Sequence, residues 1–109
     1  MKRGEIWTAA GGGAYAGKPR PVAIVQDDPF LTGDSVTVCG ITTDPTDAPI
    51  VRLAVAPSES NGLRIASRIM VDKIVTIPRK NFGKRVGRLS DQDINRLNGA
   101  ILVFLGLAG

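Results

Sequence analysis

Arg20 is the side chain whose type and setting best suit chemistry, because it stands between Pro19 and Pro21. A planar guanidinium donates two parallel hydrogen bonds to a phosphate and stabilises the negative charge that develops there, without help from a metal ion. The two prolines narrow the backbone conformations of Arg20 from both sides. Arg20 is therefore a candidate for stabilising a phosphodiester in its transition state, and the alternative is a surface arginine at the entrance of a strand.

The composition excludes most other catalytic devices. The 109 residues include no His and one Cys, Cys39. Ser-His-Asp and Cys-His triads, histidine proton shuttles and zinc sites with several cysteines are all excluded. No carboxylates have the spacing of a metal site, so we expect neither a metal nor another cofactor.

A glycine-rich segment partly matches the sequence pattern of a nucleotide-binding loop. Residues 12–18 match the first seven positions of the phosphate-binding pattern G-x-x-x-x-G-K. The eighth position needs Ser or Thr to hold Mg²⁺, but here it is Pro19, and a strand-like run follows where a helix should begin. Nucleotide hydrolysis is not expected.

Positive charge is concentrated in the second half of the chain. Residues 1–50 carry four basic and six acidic side chains, whereas residues 51–109 carry ten and four. Five of the basic side chains follow one another without an acid between them: Arg79, Lys80, Lys84, Arg85 and Arg88. This stretch is either an electrostatic footprint for phosphates or a solvated surface.

Strands outnumber helices in the predicted secondary structure. Alternating or continuous apolar patterns predict strands in five segments: 5–8, 21–26, 35–42, 50–55 and 69–77. Strands that come first and one helix that comes last favour a small, curved antiparallel sheet or barrel in a single domain, 1–109.

The C-terminal segment changes to a helical period. Ser90 is an N-cap candidate for a helix that begins near Asp91. Apolar residues at i, i+3 and i+4 spacing give this helix a face for the sheet: Ile94, Leu97, Ile101, Phe104, Leu105 and Ala108. Leu102 and Val103 fall outside that face. We therefore expect a second surface to pack against the helix, either a wrapping sheet or a subunit interface, and we favour a dimer.

Five segments in this order resemble the MazF/PemK family of type II toxins, which are mRNA interferases. They are Arg3–Trp7, Lys18–Gln26, Ile41–Thr43, Asp72–Ile74 and Gly87–Ser90. The resemblance implies a mainly β fold with a C-terminal helix, namely an SH3-like barrel of the CcdB/MazF type that dimerises. It also implies an endoribonuclease toxin that cuts single-stranded mRNA at short sequences and is inhibited by an antitoxin.

The resemblance implies roles for individual residues. Arg20 matches the catalytic arginine and Thr42 matches the active-site threonine at the end of the third strand, with Thr43 as its neighbour and rival. Lys73 stands where the family commonly has a glutamine that contacts substrate. In the glycine-rich loop, where Ala14-Tyr15-Ala16 departs from the family's polar residues, Tyr15 is the aromatic residue best placed to stack on a base. We expect Tyr15, Lys18, Thr43 and Lys73 to bind RNA.

The proton acceptor for the 2′-hydroxyl stays open among three candidates. They are Arg20 acting through a water molecule, Glu5 and Asp72, although a structural salt bridge is the simpler role for Glu5. Self-attack by the 2′-hydroxyl gives a 2′,3′-cyclic phosphate and a 5′-hydroxyl, and rate enhancement rests on phosphate stabilisation and in-line alignment.

Two other functions compete with RNA cleavage. A CcdB-like toxin would bind gyrase without catalysis, but such toxins end in Trp-Gly-Ile, whereas this chain ends in Leu107-Ala108-Gly109. A basic nucleic-acid-binding module would bind RNA without cutting it.

The expected antitoxin is acidic and folds a disordered segment over the cationic groove. The sequence carries neither a signal-peptide pattern nor an apolar run of about 18 residues, which predicts a cytoplasmic protein without membrane contact.

Overall fold

Six strands and one α-helix make up the regular structure of the described residues, which are 1–10, 18–45 and 51–108 of the computed structural model. The strands are β1 (Glu5–Ala9), β2 (Arg20–Ile24), β3 (Ser35–Thr42), β4 (Arg52–Val55), β5 (Ser67–Pro78) and β6 (Phe82–Arg88). The helix α1 (Asp91–Phe104) comes last. Short 3-10 turns at Asp28–Phe30 and Arg79–Asn81 precede β3 and β6.

The strands form one antiparallel sheet in the order β4-β5-β3-β2-β1-β6. The predicted class, mainly β with a C-terminal helix, is confirmed. The expected closure into a barrel is not present, because β4 and β6 are the two ends of the hydrogen-bonded order found in the described part of the chain.

Two apolar clusters pack on opposite faces of the sheet. Alternation along β2 separates them, because Ala23 joins one cluster whereas Val22 and Ile24 join the other. The first cluster includes Leu97 of α1 and so attaches the helix to the sheet. Trp7 packs against the second cluster.

Strand β6 is the element that the sequence pattern did not predict. It contains Gly83 and Gly87 between basic residues, a composition with little strand propensity. Gly87 is required by packing, because a Cβ atom there would lie 2.4 Å from the backbone of Asn61. Gly62 has a φ of +70°, which only glycine adopts easily. The turn that contains Asn61 and Gly62 thus packs against the backbone of β6.

Helix α1 begins where the capping pattern predicts. The Ser90 hydroxyl oxygen accepts a hydrogen bond from the backbone N–H of Asp93 at 3.1 Å. The end of the helix differs from the prediction, because Phe104 is 43% exposed and Leu105, just beyond the helix, is 53% exposed. Phe104 is therefore not a core residue within this chain. No helix among the described residues is long and apolar enough to cross a membrane.

Candidate phosphodiester site

A row of residues crosses the sheet at the C-terminal end of β3. Thr42 of β3 is the Cα partner of Arg68 on β5, and Arg68 is the partner of Ala54 on β4. On the other side, β2 pairs with β3 through Val22 and Gly40. Extending that register by two residues, past the last pair that the two strands form, would place Arg20 opposite Thr42. Directly opposite side chains on one face have Cβ atoms about 4.5–5.5 Å apart.

The prolines beside Arg20 account for how β2 enters the sheet. Arg20 is the first residue of β2 and pairs with Ala9 of β1. Pro21 has no N–H to donate to β3, so the regular ladder between β2 and β3 begins at Val22. The candidate site therefore lies at the start of β2, before its hydrogen-bonded ladder with β3 begins.

The Arg20 side chain is exposed, and the described part of the structure offers its guanidinium neither a hydrogen bond nor an ion pair. By alternation it projects from the same face as Val22 and Ile24, beyond the end of the second apolar cluster. Its five N–H donors are therefore available to an anion.

Thr42 is half-buried and its hydroxyl oxygen has a fixed neighbour. The oxygen accepts a hydrogen bond from the backbone N–H of Asp44 at 3.1 Å, a local turn contact typical of threonine at a strand end. The hydroxyl proton remains able to donate to a phosphate oxygen. Thr43 is exposed and follows the strand, so Thr42, rather than its neighbour, belongs to the row.

Asp72 and Lys73 lie on an irregular part of β5. Between the pairs Cys39 with Ile74 and Ile41 with Ile69, Gly40 of β3 faces the whole segment Met70–Lys73. The two oxygens of Asp72 accept hydrogen bonds from Arg52 Nε at 2.9 Å and from Arg52 Nη2 at 3.2 Å. Asp72 could accept a proton only in competition with this bidentate ion pair, whereas the Lys73 side chain is exposed.

Glu5 lies away from the row. It is four residues from Ala9 on β1, or about 13 Å along the strand. Its carboxylate accepts hydrogen bonds from the Trp7 indole at 2.9 Å, the Lys2 backbone at 3.0 Å and Arg85 Nε at 3.1 Å. Partial burial raises the pKa of Glu5, but these hydrogen bonds and the positive charge of Arg85 together hold it below its ordinary value. The structure thus gives Glu5 a structural ion pair and does not bring it to the row as a proton acceptor.

The basic stretch at 79–88 is largely used by the fold. The Arg79 guanidinium donates to the carbonyls of Gly33 and Leu31. Arg85 binds Glu5 at 3.1 Å, and Arg88 binds Asp91 at 3.1 Å. These guanidiniums are committed to the fold, although the start of β6 is near the row, because Phe82 pairs with Ala9 and Ala9 pairs with Arg20.

The remaining predicted groups are placed as follows. Lys18 is exposed just before β2, and Tyr15 lies outside the described residues. Burial raises the pKa of Cys39 to about 12, so this thiol is not a ready nucleophile. Within the described ranges, no three His, Cys, Asp or Glu side chains lie together as metal ligands would.

Sequence reasoning missed Arg52 and Arg68. Arg52 binds Asp72, and Arg68 lies opposite Thr42. The sequence signal for both was weak, because each is one arginine within a short strand-like run. Their relation to the site depends on strand register, which is interrupted on β5.

Arg20 and Thr42 thus stand at the ends of neighbouring strands in a mainly β protein with one C-terminal helix. The family described as PemK-like, MazF-like toxin of type II toxin-antitoxin system matches residues 2–105. A protein of Mycolicibacterium smegmatis named "Probable endoribonuclease MazF" is 52% identical over 109 residues, which are 100% of each chain. The chain belongs to the PemK-like, MazF-like toxin family, and the resemblance noted from sequence is confirmed.

Solved structures have the same fold. The "Mycobacterium tuberculosis toxin MazF-mt6" aligns with a TM-score of 0.78 at 29% identity, covering 96% of this chain and 99% of that one. The structure described as "Endoribonuclease in complex with its cognate antitoxin from Mycobacterial species" aligns with a TM-score of 0.80 over 100% and 98% of the two chains. Its identity is 23%, so it supports the fold alone.

Proposed function

We propose that this protein is an endoribonuclease toxin that cuts single-stranded mRNA at short sequences without a metal ion. The observation that carries the proposal is the pair of adjacent strands that bear Arg20 and Thr42, in a chain that is 52% identical over its full length to the M. smegmatis protein named as a probable endoribonuclease. The arginine supplies positive charge at the phosphate, which is the role of a metal ion in other nucleases.

The reaction begins with the ribose 2′-oxygen attacking the adjacent phosphorus. The 2′-hydroxyl loses its proton, the P–O5′ bond breaks, and the departing 5′-oxygen gains a proton. The products are a 2′,3′-cyclic phosphate and a 5′-hydroxyl. Arg20 stabilises the charge of the pentacoordinate phosphorus centre, and the Thr42 hydroxyl donates to a non-bridging oxygen. The proton of the 2′-hydroxyl is accepted by a water molecule bound to Arg20 or by Asp72, because the Glu5 carboxylate is already engaged with Trp7 and Arg85.

RNA binding extends beyond the scissile phosphate. Lys18 and Lys73 are exposed cations that can meet neighbouring phosphates, and Thr43 follows the catalytic strand. Tyr15 supplies an aromatic surface for one base. Together these four residues contribute to the choice of cleavage sequence.

The protein acts as a homodimer in the cytoplasm, where its mRNA substrate is found, and an antitoxin neutralises it. Apolar side chains exposed at and beyond the end of α1 support the dimer: Leu102, Val103, Phe104, Leu105 and Leu107. A net charge of +4 favours an acidic antitoxin segment that is disordered when free.

The test is incubation of the purified protein with single-stranded RNA of mixed sequence, with and without EDTA, followed by mapping of the ends. Cleavage at recurring short sequences, leaving 2′,3′-cyclic phosphate and 5′-hydroxyl ends in both samples, supports the proposal. RNA binding without cleavage supports a basic binding module instead, and inhibition of gyrase without either supports a CcdB-like toxin. Activity that is lost in EDTA and restored by Mg²⁺ contradicts the metal-free mechanism.

A further inference from the structure

Arg68 lies on the opposite side of Thr42 from Arg20. The pair Thr42 and Arg68 is in register between β3 and β5, so the two side chains leave the same face of the sheet. The neighbouring register pair, Ile41 with Ile69, is buried on the other face. The order of the row is thus guanidinium, hydroxyl, guanidinium, on the three neighbouring strands β2, β3 and β5.

The Arg68 side chain has no anionic partner within the described structure. Other arginines of this chain have one: Arg52 binds Asp72, Arg85 binds Glu5, and Arg96 binds Asp93 at 2.8 Å. Arg68 is half-buried but takes part in no hydrogen bond or ion pair among the described residues. A partly desolvated guanidinium without a counter-ion favours binding of an anion from solution.

Arg68 also lines a cleft of about 320 Å³ at the β4 edge of the sheet. The cleft lining is mostly apolar, with a few polar atoms, and this is typical of sites that bind small organic groups. Its other lining residues are Thr43, Pro45, Ala54, Val55, Ala56, Ala66 and Ser67. Thr43 connects the cleft directly to the strand that ends in Thr42.

We propose that Arg68 binds the RNA phosphate next to the scissile one, and that the cleft beside it takes the base of that nucleotide. This inference rests on the proposed function, since it assigns a nucleotide subsite to the same row. The backbones of β2 and β5 are two strand spacings apart, about 9–10 Å. Arg20 and Arg68 can therefore serve consecutive phosphates with Thr42 between them. A single strand of RNA crosses β3 and reaches the β4 edge.

The charge is tested with Arg68→Met, which keeps the apolar stem, and Arg68→Lys, which keeps the positive charge. Arg64→Met is the matched control, because Arg64 is an exposed arginine on a turn with no partner in the described residues. Steady-state cleavage of a single-stranded RNA is measured over a series of salt concentrations.

For Arg68→Met we expect KM to rise roughly tenfold, in keeping with loss of one charged hydrogen bond, while kcat changes little. The slope of log KM against log salt should fall by about 0.7, the value for one phosphate contact on a single strand. Arg68→Lys should retain the salt slope.

The cleft is tested separately with Ala54→Leu, which adds an apolar side chain on an exposed position of the lining. We expect a changed preference for the nucleotide next to the cleavage point, measured by end mapping on a random-sequence RNA library. The salt slope should stay that of the wild type, because no charge is removed.

The outcomes separate this inference from the proposed function. Absence of RNA cleavage by the wild type contradicts the proposed function itself. Cleavage by the wild type, with Arg68→Met matching Arg64→Met in KM and salt slope, overturns the role of Arg68. An unchanged sequence preference in Ala54→Leu overturns the base subsite. Thermal unfolding of each variant identifies loss of fold, in which case Arg68→Lys provides the charge comparison in a folded protein.

Discussion

Replacing Arg20 with Ala removes the guanidinium but leaves the backbone pairing of Arg20 with Ala9 in place. The side chain is exposed and has no partner among the described residues, so the fold loses no hydrogen bond or ion pair there. What is lost is one preorganised donor group at the phosphate in the transition state. Removal of such a donor lowers kcat about 10²–10³-fold. We expect Arg20→Ala to lose about 100-fold or more in cleavage, with an unchanged unfolding temperature.

The assay is single-turnover cleavage of a labelled single-stranded RNA at saturating protein, alongside thermal unfolding. Arg20→Lys tests the geometry of the group, because an ammonium is a point charge without two parallel donors. We expect Lys to restore RNA binding more than cleavage. Arg64→Ala removes the same charge from an exposed turn and should cut at the wild-type rate. Near-normal cleavage by Arg20→Ala or Arg20→Lys refutes the assignment of Arg20 to the transition state.

Three further variants test neighbouring parts of the argument. Thr42→Val should lower kcat roughly tenfold or more, as one hydrogen bond to a charged phosphate is lost, and a larger loss from Thr43→Val would reverse their assignment. Because the pKa of Glu5 is lowered in the fold, its stabilising contribution is present above its ordinary value of 4.5 and is lost as pH falls through the lower folded value. Glu5→Gln should therefore destabilise by about 1 kcal/mol at pH 7 and by less at pH 3, measured by urea unfolding. Ser90→Ala should lower the free energy of unfolding by about 1 kcal/mol, whereas Ser90→Asp should retain it.

Local patterns predicted the elements whose side chains alternate or repeat cleanly. Strand β3 agrees at both ends with the predicted range 35–42, and α1 begins at the predicted residue, Asp91. Strand β6 was missed because its glycines and basic residues give no alternation, and its position depends on packing of the turn around Asn61. That contact joins parts of the chain about 25 residues apart in sequence, which a local pattern cannot report.

The site was predicted only in part for a related reason. The prolines beside Arg20 and the family resemblance make Arg20 and Thr42 candidates from sequence, and their roles stay predictions. Arg68 became apparent only from the register, because the irregular segment Met70–Lys73 on β5 shifts its pairing with β3. Counting residues back from Ile74, which pairs with Cys39, would have aligned Thr42 with Val71 instead. The bulge thus changes which residue lies opposite the candidate catalytic threonine.

Arg20 and Arg68, which flank Thr42, differ from the arginines that form structural ion pairs. Arg52, Arg85 and Arg96 each have a carboxylate partner, whereas Arg20 and Arg68 have none among the described residues. Two unpaired cations on one row repel each other, and that repulsion opposes folding until an anion binds between them. The combined positive charge of the two arginines makes the row electrostatically complementary to a phosphodiester before the substrate binds. Removing either arginine should therefore weaken RNA binding or cleavage without lowering the unfolding temperature, the opposite of what loss of a structural ion pair such as that of Arg52 would do.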